Sequence, residues 1–389
     1  MRILFTSAGG RGHSDPLLPI ARTARLSGHE VAFCCRPPMA ATIEADGFTA
    51  FSAGPEILAP AGIAPLAPLD IERERRVVRD GFAGRGIAAR RATELPDVFT
   101  AFAPDVLVCD ETDFGALVAA ERCDLPYATV VVVASGSFLT PDVLAEPLQN
   151  LRADAGLSTD PGLEMLTRYC VFAPGPPRFR DPAFPLGPTA HPLRPAALDP
   201  DDAARPTGVV GEAAIVYFTL GSVFNLESGD LFDRVLRGLQ DLPFDVVATV
   251  GTAIDPATFG PQPAGVRVER FVAQSALLPH CRAVVSHGGS GSVLGALAHG
   301  VPQVLLPMGA DQPCNAARCA ALGVGRTLDA LTCSPEEVHD AVITVSSDPS
   351  YHRRAAQLRD ETLALPDAAY AVGLIERLAR ERQPIVRTG

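Results

Sequence analysis

From Ala283 to Pro302 the chain reads Ala-Val-Val-Ser-His-Gly-Gly-Ser-Gly-Ser-Val-Leu-Gly-Ala-Leu-Ala-His-Gly-Val-Pro, an order that few architectures accommodate. A β-branched run ends at Ser286, a turn of small residues follows, and a helical pattern begins near Gly291. That succession places bare backbone N–H groups and a positive helix end at the carboxyl edge of a sheet, a seat for an anion and most often for a phosphate. Glycine lets the backbone approach a ligand closely, and His287 adds a side-chain donor. Glycine turns between strand and helix are common, so the rest of the chain has to decide.

The amino-terminal half opens in the same way. Arg2 to Ser7 is a buried-strand run, the turn is Ala8-Gly9-Gly10-Arg11-Gly12-His13, and Ser14 or Asp15 is placed to cap a helix carrying Leu17, Leu18, Ile20, Ala21 and Ala24. Gly28-His29 closes it before the strand at Glu30 to Cys34. A βαβ opening of this kind implies a parallel sheet with right-handed crossovers. Gly10-Arg-Gly12 lacks the third glycine of a dinucleotide fingerprint, and no acidic residue ends the second strand, so a NAD site is not expected. Residues 50–86, rich in Pro and Ala and then sharply charged, read as loop and helix bordering a pocket, with Arg73, Arg75 and Arg76 equally well explained as a solvated helix face.

Asp105 to Cys109 is a further strand. It ends in Asp110-Glu-Thr-Asp113 before a helix at Phe114 to Glu121, and a strand at Leu125 to Val133 follows with its exit loop Ala134 to Ser137. In a parallel sheet these exit loops share one edge, so His13 and Asp110 come together there. A carboxylate bonded to one imidazole nitrogen orients the ring and leaves the other nitrogen to take a proton. The plainer alternative is that each residue caps its own helix.

From Pro174 to Pro206 the prolines are dense enough to imply a stiff interdomain linker. A second βα series then runs through strands at Ala214 to Leu220, Phe244 to Val250, Val266 to Phe271, the opening stretch, and Gln303 to Pro307. Helices are expected at Leu231 to Leu239, Asn315 to Leu322, Ser334 to Ser347, Ser350 to Leu365 and Ala368 to Arg382. Two three-layer α/β domains facing a cleft follow from this alternation.

Length and charge agree with that division. A chain of 389 residues exceeds one ordinary core, and a net charge of −12 disfavours nucleic acid and anionic membrane. No apolar run approaches the roughly 20 residues of a membrane span, and the start has no cleavage-type ending of a signal peptide. Nine scattered cysteines without a CxxC point to reduced thiols in a cytoplasm rather than to disulfides or zinc.

Set together, Arg270-Phe271-Val-Ala-Gln274, Leu278-Pro-His-Cys281, Ser286-His287-Gly288-Gly289, Gly300-Val-Pro302, Pro307-Met-Gly-Ala-Asp311-Gln312-Pro-Cys-Asn315-Ala316 and Gly323-Val-Gly325 resemble the motifs of the GT1 nucleotide-sugar glycosyltransferases. The similarity spans essentially the whole chain and is greatest to the bacterial branch that decorates polyketide, enediyne, macrolide and glycopeptide aglycones. It implies a GT-B fold of two Rossmann-like, doubly wound domains: an acceptor domain at 1–205 that includes the linker from about 174, a donor domain at 206–366, and a closing helix at 367–389 that packs back on the first domain. It also implies that the β-phosphate sits against His287, Gly288, Gly289, Ser290 and the helix start at Gly291 and Ser292, with Ser222 reaching the diphosphate from the neighbouring loop. Phe271, Val272 and Gln274 border the base, Asp311 and Gln312 bond the sugar hydroxyls, and His13 is the base with Asp110 its partner. Plant relatives carry Trp and Asn where this chain has Ser290 and Gly291, which removes side chains that plants use to choose the sugar.

The expected reaction is a metal-independent, inverting transfer of a (deoxy)sugar from a TDP- or UDP-sugar to a hydroxyl of a hydrophobic acceptor, with no cofactor beyond the donor and a homodimer compatible with the reading. Asp199-Pro-Asp201-Asp202 is read as a polar turn rather than a metal motif. Three alternatives compete: a nucleotide-sugar 2-epimerase or hydrolase on the same fold, a non-catalytic helper, and a serine hydrolase. The last is opposed by Gly288-Gly-Ser290-Gly-Ser292, which fails Gly-x-Ser-x-Gly at its final position. Should Asp110 not partner the base, Asp113 is the next candidate.

Overall fold

The computed structural model describes residues 1–57, 62–198 and 214–387. Runs of β-branched and aromatic residues closed by glycine or other small residues form parallel strands, which tolerate apolar side chains on both faces because helices cover both. In the first half these are β1 (Arg2–Thr6), β2 (Glu30–Cys35), β3 (Thr49–Ser52), β4 (Val106–Asp110), β5 (Tyr127–Val130), β6 (Cys170–Pro174) and β7 (Ala190–Leu193), ordered β3-β2-β1-β4-β5-β6-β7. The second half contributes β8 (Ile215–Thr219), β9 (Asp245–Thr249), β10 (Val266–Glu269), β11 (Cys281–Ser286), β12 (Gln303–Leu305) and β13 (Gly325–Thr327), ordered β10-β9-β8-β11-β12-β13. Every adjacent pair is parallel. The two expected doubly wound, parallel-sheet α/β units are thus present.

Strand order reverses between β1 and β4 in one sheet and between β8 and β11 in the other. Loops diverge at such a switch point and open a crevice beyond the carboxyl ends of the strands. Thr6 lies opposite Cys109, so the loop holding His13 leaves the sheet beside Asp110. Ser286 lies opposite Thr219, so His287 emerges beside the turn at Gly221.

Alternate residues of each strand feed opposite core layers. Leu4, Cys34, Leu107 and Cys109 pack beneath the helices Ile87–Phe102 and Phe114–Arg122, while Ile3, Phe5, Phe33 and Val108 pack beneath Leu18–Leu26. The helix Ala368–Glu381 inserts Ala371, Val372, Ile375 and Leu378 into that second layer, and Glu376 Oε1 lies 3.0 Å from His29 Nε2.

Several elements depart from expectation, and proline accounts for three of them. The helices Ile87–Phe102 and Pro141–Asp154 carry Pro96 and Pro147 inside them, each deleting a backbone donor from an otherwise helical run. Within the expected linker, Ala190–Leu193 is instead a strand that pairs with β6 alone. Its Pro192 is tolerated because an edge strand leaves one row of donors unpaired. Residues 199–213, which include the last part of the expected linker and the Asp199 to Asp202 turn, lie outside the described residues. The first helix starts a turn earlier than expected, at Arg11, because the Gly10 carbonyl accepts from His13 N at 2.9 Å and Ser14 N at 3.3 Å. Neither Ser14 nor Asp15 caps it, and Asp15 pairs with Arg11 Nε at 2.9 Å.

Asp113 also departs from its expected position. Its carboxylate accepts from Arg91 Nε at 2.7 Å and Nη2 at 2.6 Å, both side chains are fully buried, and its Oδ1 caps the helix Phe114–Arg122 through Ala116 N. Arg91 also donates to the carbonyls of Ala53 and Cys34. Asp113 is therefore a structural anion beneath the sheet edge and is excluded as an alternative base. Removing one member of a buried, fully bonded pair leaves an uncompensated charge, at a cost of about 3–5 kcal/mol. Arg91→Ala should lower the stability of the first domain by that amount, measured from the midpoint of urea unfolding.

Candidate active site

At the edge of the first sheet, His13 stands in the short helix that follows β1. Its Nδ1 is 3.3 Å from Asp110 Oδ1 and 3.0 Å from Thr112 Oγ1. Asp110, at the end of β4 and fully buried, also accepts from Ala8 N at 2.8 Å, from Thr112 N at 2.7 Å and from the Thr112 hydroxyl. Its oxygens are thus bonded on every side, which holds it anionic. Burial alone would pull the His13 pKa down, but the Asp110 charge and hydrogen bond, helped by Asp311, carry it above its ordinary 6.5. Burial likewise works against ionised Asp110, and His13, Thr112 and Ala8 outweigh it so that its pKa falls below 3.8.

Sterics complete the placement. The His13 ring stacks on Phe82 at a centroid distance of 5.5 Å and an angle of 13°. It also lies on the bare backbone of Gly9, where a Cβ would come within 2.0 Å of Cδ2.

At the edge of the second sheet, Gly288 turns the chain at φ 85° and Gly289 begins the helix Ser290–Ala298 with no side-chain cap. The first N–H groups of such a helix lack intrahelical partners and present a partial positive charge. A Cβ at Gly291 would meet nothing within 4 Å, so this helix start is open. His287 fits between two glycines, where a Cβ at Gly221 would approach Cε1 to 2.7 Å and one at Gly289 would approach Nε2 to 2.5 Å. Its Nδ1 is buried without a partner among the described residues. Burial drives the His287 pKa down to about 4, only partly offset by a hydrogen bond to the Thr219 backbone. It is a neutral imidazole with a hydrogen-bonding nitrogen left over, suited to meeting phosphate without adding a fixed charge.

The loop after β12 brings Asp311 to the same place. Asp311 Oδ2 accepts from Ser290 Oγ at 2.6 Å and from Asn315 Nδ2 at 2.8 Å. Burial raises its pKa above 3.8, and those two hydrogen bonds pull it partway back. The network crosses the cleft, since Ser290 Oγ accepts from Ala134 N at 2.8 Å and Asn315 Oδ1 from Ser135 N at 3.3 Å. Gln312 Oε1 is bonded internally to Met308 N at 2.8 Å and Gly309 N at 3.2 Å, bracing its own loop.

Ser222 is exposed in the turn after β8 and Ser292 is half-buried in the first turn of the Ser290–Ala298 helix. Phe271 presents an aromatic ring that is 71% exposed, Val272 packs on the cluster of Tyr217 and Val284, and Gln274 Nε2 reaches the Tyr217 hydroxyl at 3.5 Å. Sequence reasoning missed Gly9, Phe82, Thr112 and the bonding role of Asn315. Thr112 had a legible signal, an Asp-x-Thr turn leaving a strand, whereas Phe82 sits in a segment with no motif. Among the described residues no group of three or more His, Cys, Asp or Glu is arranged to hold a metal, and no helix is long and apolar enough to cross a membrane.

Two titrations check this geometry. Gly9→Ala should push the imidazole off Asp110, and the His13 pKa measured by NMR should fall back toward 6.5. For His287 the folded value near 4 lies below the ordinary 6.5, so the unfolded chain binds the proton first on acidification. Stability should therefore drop as pH falls from 6.5 toward 4, by up to about 3 kcal/mol, and His287→Asn should remove that part of the slope.

Comparison with known proteins identifies the family. A family profile described as the Erythromycin biosynthesis protein CIII-like, C-terminal domain, matches residues 233–378. The chain is 31% identical to 4'-demethylrebeccamycin synthase of Lentzea aerocolonigenes, over 97% of this chain and 99% of that one. It is 29% identical to 10-deoxymethynolide desosaminyltransferase of Streptomyces venezuelae, over 98% of both. The solved structure of glycosyltransferase VinC in complex with dTDP superposes with a TM-score of 0.76 at 25% identity, covering 98% of this chain and 100% of that chain. The chain belongs to the family of GT-B glycosyltransferases whose members serve antibiotic and other natural-product biosynthesis.

Proposed function

We propose that this glycosyltransferase moves a deoxysugar from a TDP-sugar to a hydroxyl of a hydrophobic natural-product acceptor, with inversion and without a metal. The observation that carries the reading is the pairing of two imidazoles on opposed sheet edges, one bonded to a buried carboxylate and the other set at an open helix start. In the proposed step the acceptor O–H gives its proton to His13 Nε2 while its oxygen bonds to the anomeric carbon. The bond from that carbon to the β-phosphate oxygen breaks, and the nucleoside diphosphate leaves with the electron pair. Asp110 stabilises the imidazolium that forms, a role its low pKa suits. The helix N-terminus and the neutral His287 meet the charge growing on the diphosphate. Asp311 accepts from the sugar hydroxyls through its second oxygen, and Ser222, Ser292 and Phe271 lie along the donor.

Thymidine as the donor nucleoside is supported by the relative named TDP-daunosamine transferase, 27% identical over 99% of this chain, and by the dTDP seated in VinC. The domain division at 1–205 and 206–366 and the cytoplasmic setting belong to the same proposal. His13→Ala should cut kcat by about 10²–10⁴ while a thermal shift with TDP persists and exceeds that with UDP. Turnover that survives the substitution would remove the base, and a UDP shift as large as that of TDP would remove the donor assignment.

A further inference from the structure

One segment of the acceptor domain reaches into the donor loop. Ala64 N donates to Leu226 O at 2.7 Å and Gly229 N donates to Ala64 O at 3.0 Å, so residue 64 is hydrogen-bonded in both directions to the donor domain. Leu66 packs on the donor-domain core, against Gly229, where a Cβ would meet Leu66 N at 2.8 Å. Further along, Glu74 is only 7% exposed, and its Oε2 accepts from Ala310 N at 2.9 Å, across 236 residues of sequence. Its other oxygen accepts from Arg73 Nε and Nη2 at 2.9 and 2.8 Å. Eight residues later Phe82 stacks on His13.

The contact falls at a sensitive place. Ala310 holds φ 49°, a left-handed conformation uncommon for alanine, directly before Asp311. A Cβ at Gly309 would lie 3.2 Å from the Glu74 carboxyl and 2.9 Å from the Phe224 ring, so the loop is pressed closely against both. An anionic acceptor on the Ala310 N–H is a charge-assisted hydrogen bond, roughly twice as strong as a neutral one, and holds that peptide in its strained orientation.

We infer that Glu74, from the acceptor domain, is a positioning residue for the donor sugar: it holds the 308–311 loop so that Asp311 faces the sugar. This rests on the proposal that Asp311 bonds the sugar. It also makes sugar selection depend on the same acceptor-domain segment that carries Phe82 to His13.

Donor KM, kcat and nucleoside-diphosphate affinity by calorimetry, measured on the full chain, test it. Glu74→Ala should raise donor KM about tenfold, the effect of losing one charge-assisted bond. It should leave the affinity for TDP, which has no sugar, within about twofold. Glu74→Gln keeps an oxygen acceptor for Ala310 and should recover most of the loss. In an Asp311→Asn background, Glu74→Ala should add less than about twofold, because both act through one group. Should Glu74→Ala fail to fold, Gly309→Ala presses the same contact from the other side and should raise donor KM alone. If Asp311→Asn leaves donor KM unchanged, the sugar-binding role of Asp311 falls and the inference falls with it. If Asp311→Asn raises KM while Glu74→Ala does not, or adds its full effect in the double variant, the role of Glu74 alone is overturned.

Discussion

A single buried carboxylate organises the half of the site built on the first sheet. Asp110 ends a central strand, where burial would ordinarily favour the neutral acid. Two backbone N–H groups, one hydroxyl and one imidazole compensate it. Each of those donors belongs to a loop at the switch point, so satisfying the charge also ties the β1 and β4 exits together. The position of His13 is a consequence of that tie.

The two imidazoles of the cleft are held by the same steric device and opposite electrostatics. His13 lies on Gly9, and His287 lies between Gly221 and Gly289. Only a residue without Cβ admits a ring so near its backbone. Beside an anion, His13 is pushed toward binding a proton; buried without one, His287 is kept neutral. On the proposed reading, the group that takes a proton and the group that meets phosphate without competing for protons are thereby separated within one fold.

Ser290 and Asn315 join the halves. Each bonds Asp311 within the second half and a backbone N–H of the Ala134–Ser135 loop in the first half. The residues that orient the candidate sugar carboxylate therefore also form the closed cleft, and the segment at Ala64 to Phe82 makes a second crossing. The bonds that orient Asp311 and the bonds that join the two halves draw on the same side chains.

The strand-turn-helix units at β1, β4, β8 and β11 were legible because apolar runs ending in glycine, small or, at β4, acidic residues are local signals, and the Gly288-Gly289 and Asp311-Gln312 motifs stand in unbroken sequence. The helices carrying Pro96 and Pro147 and the edge strand carrying Pro192 were hidden, since proline breaks the pattern that a covered helix face or a sheet edge can still accommodate. Asp113 looked as available as Asp110, three residues away, and only the buried Arg91 opposite decided between them. The chain by itself determined two parallel α/β halves with histidines at their exit loops, because hydrophobic periodicity and glycine placement act over a few residues. Only the tertiary structure decided which carboxylate is a partner and which a brace, and that Glu74 and Phe82 belong to the site at all. Those choices depend on contacts between residues up to 236 positions apart, whose energies come from burial and bonding that no local pattern records.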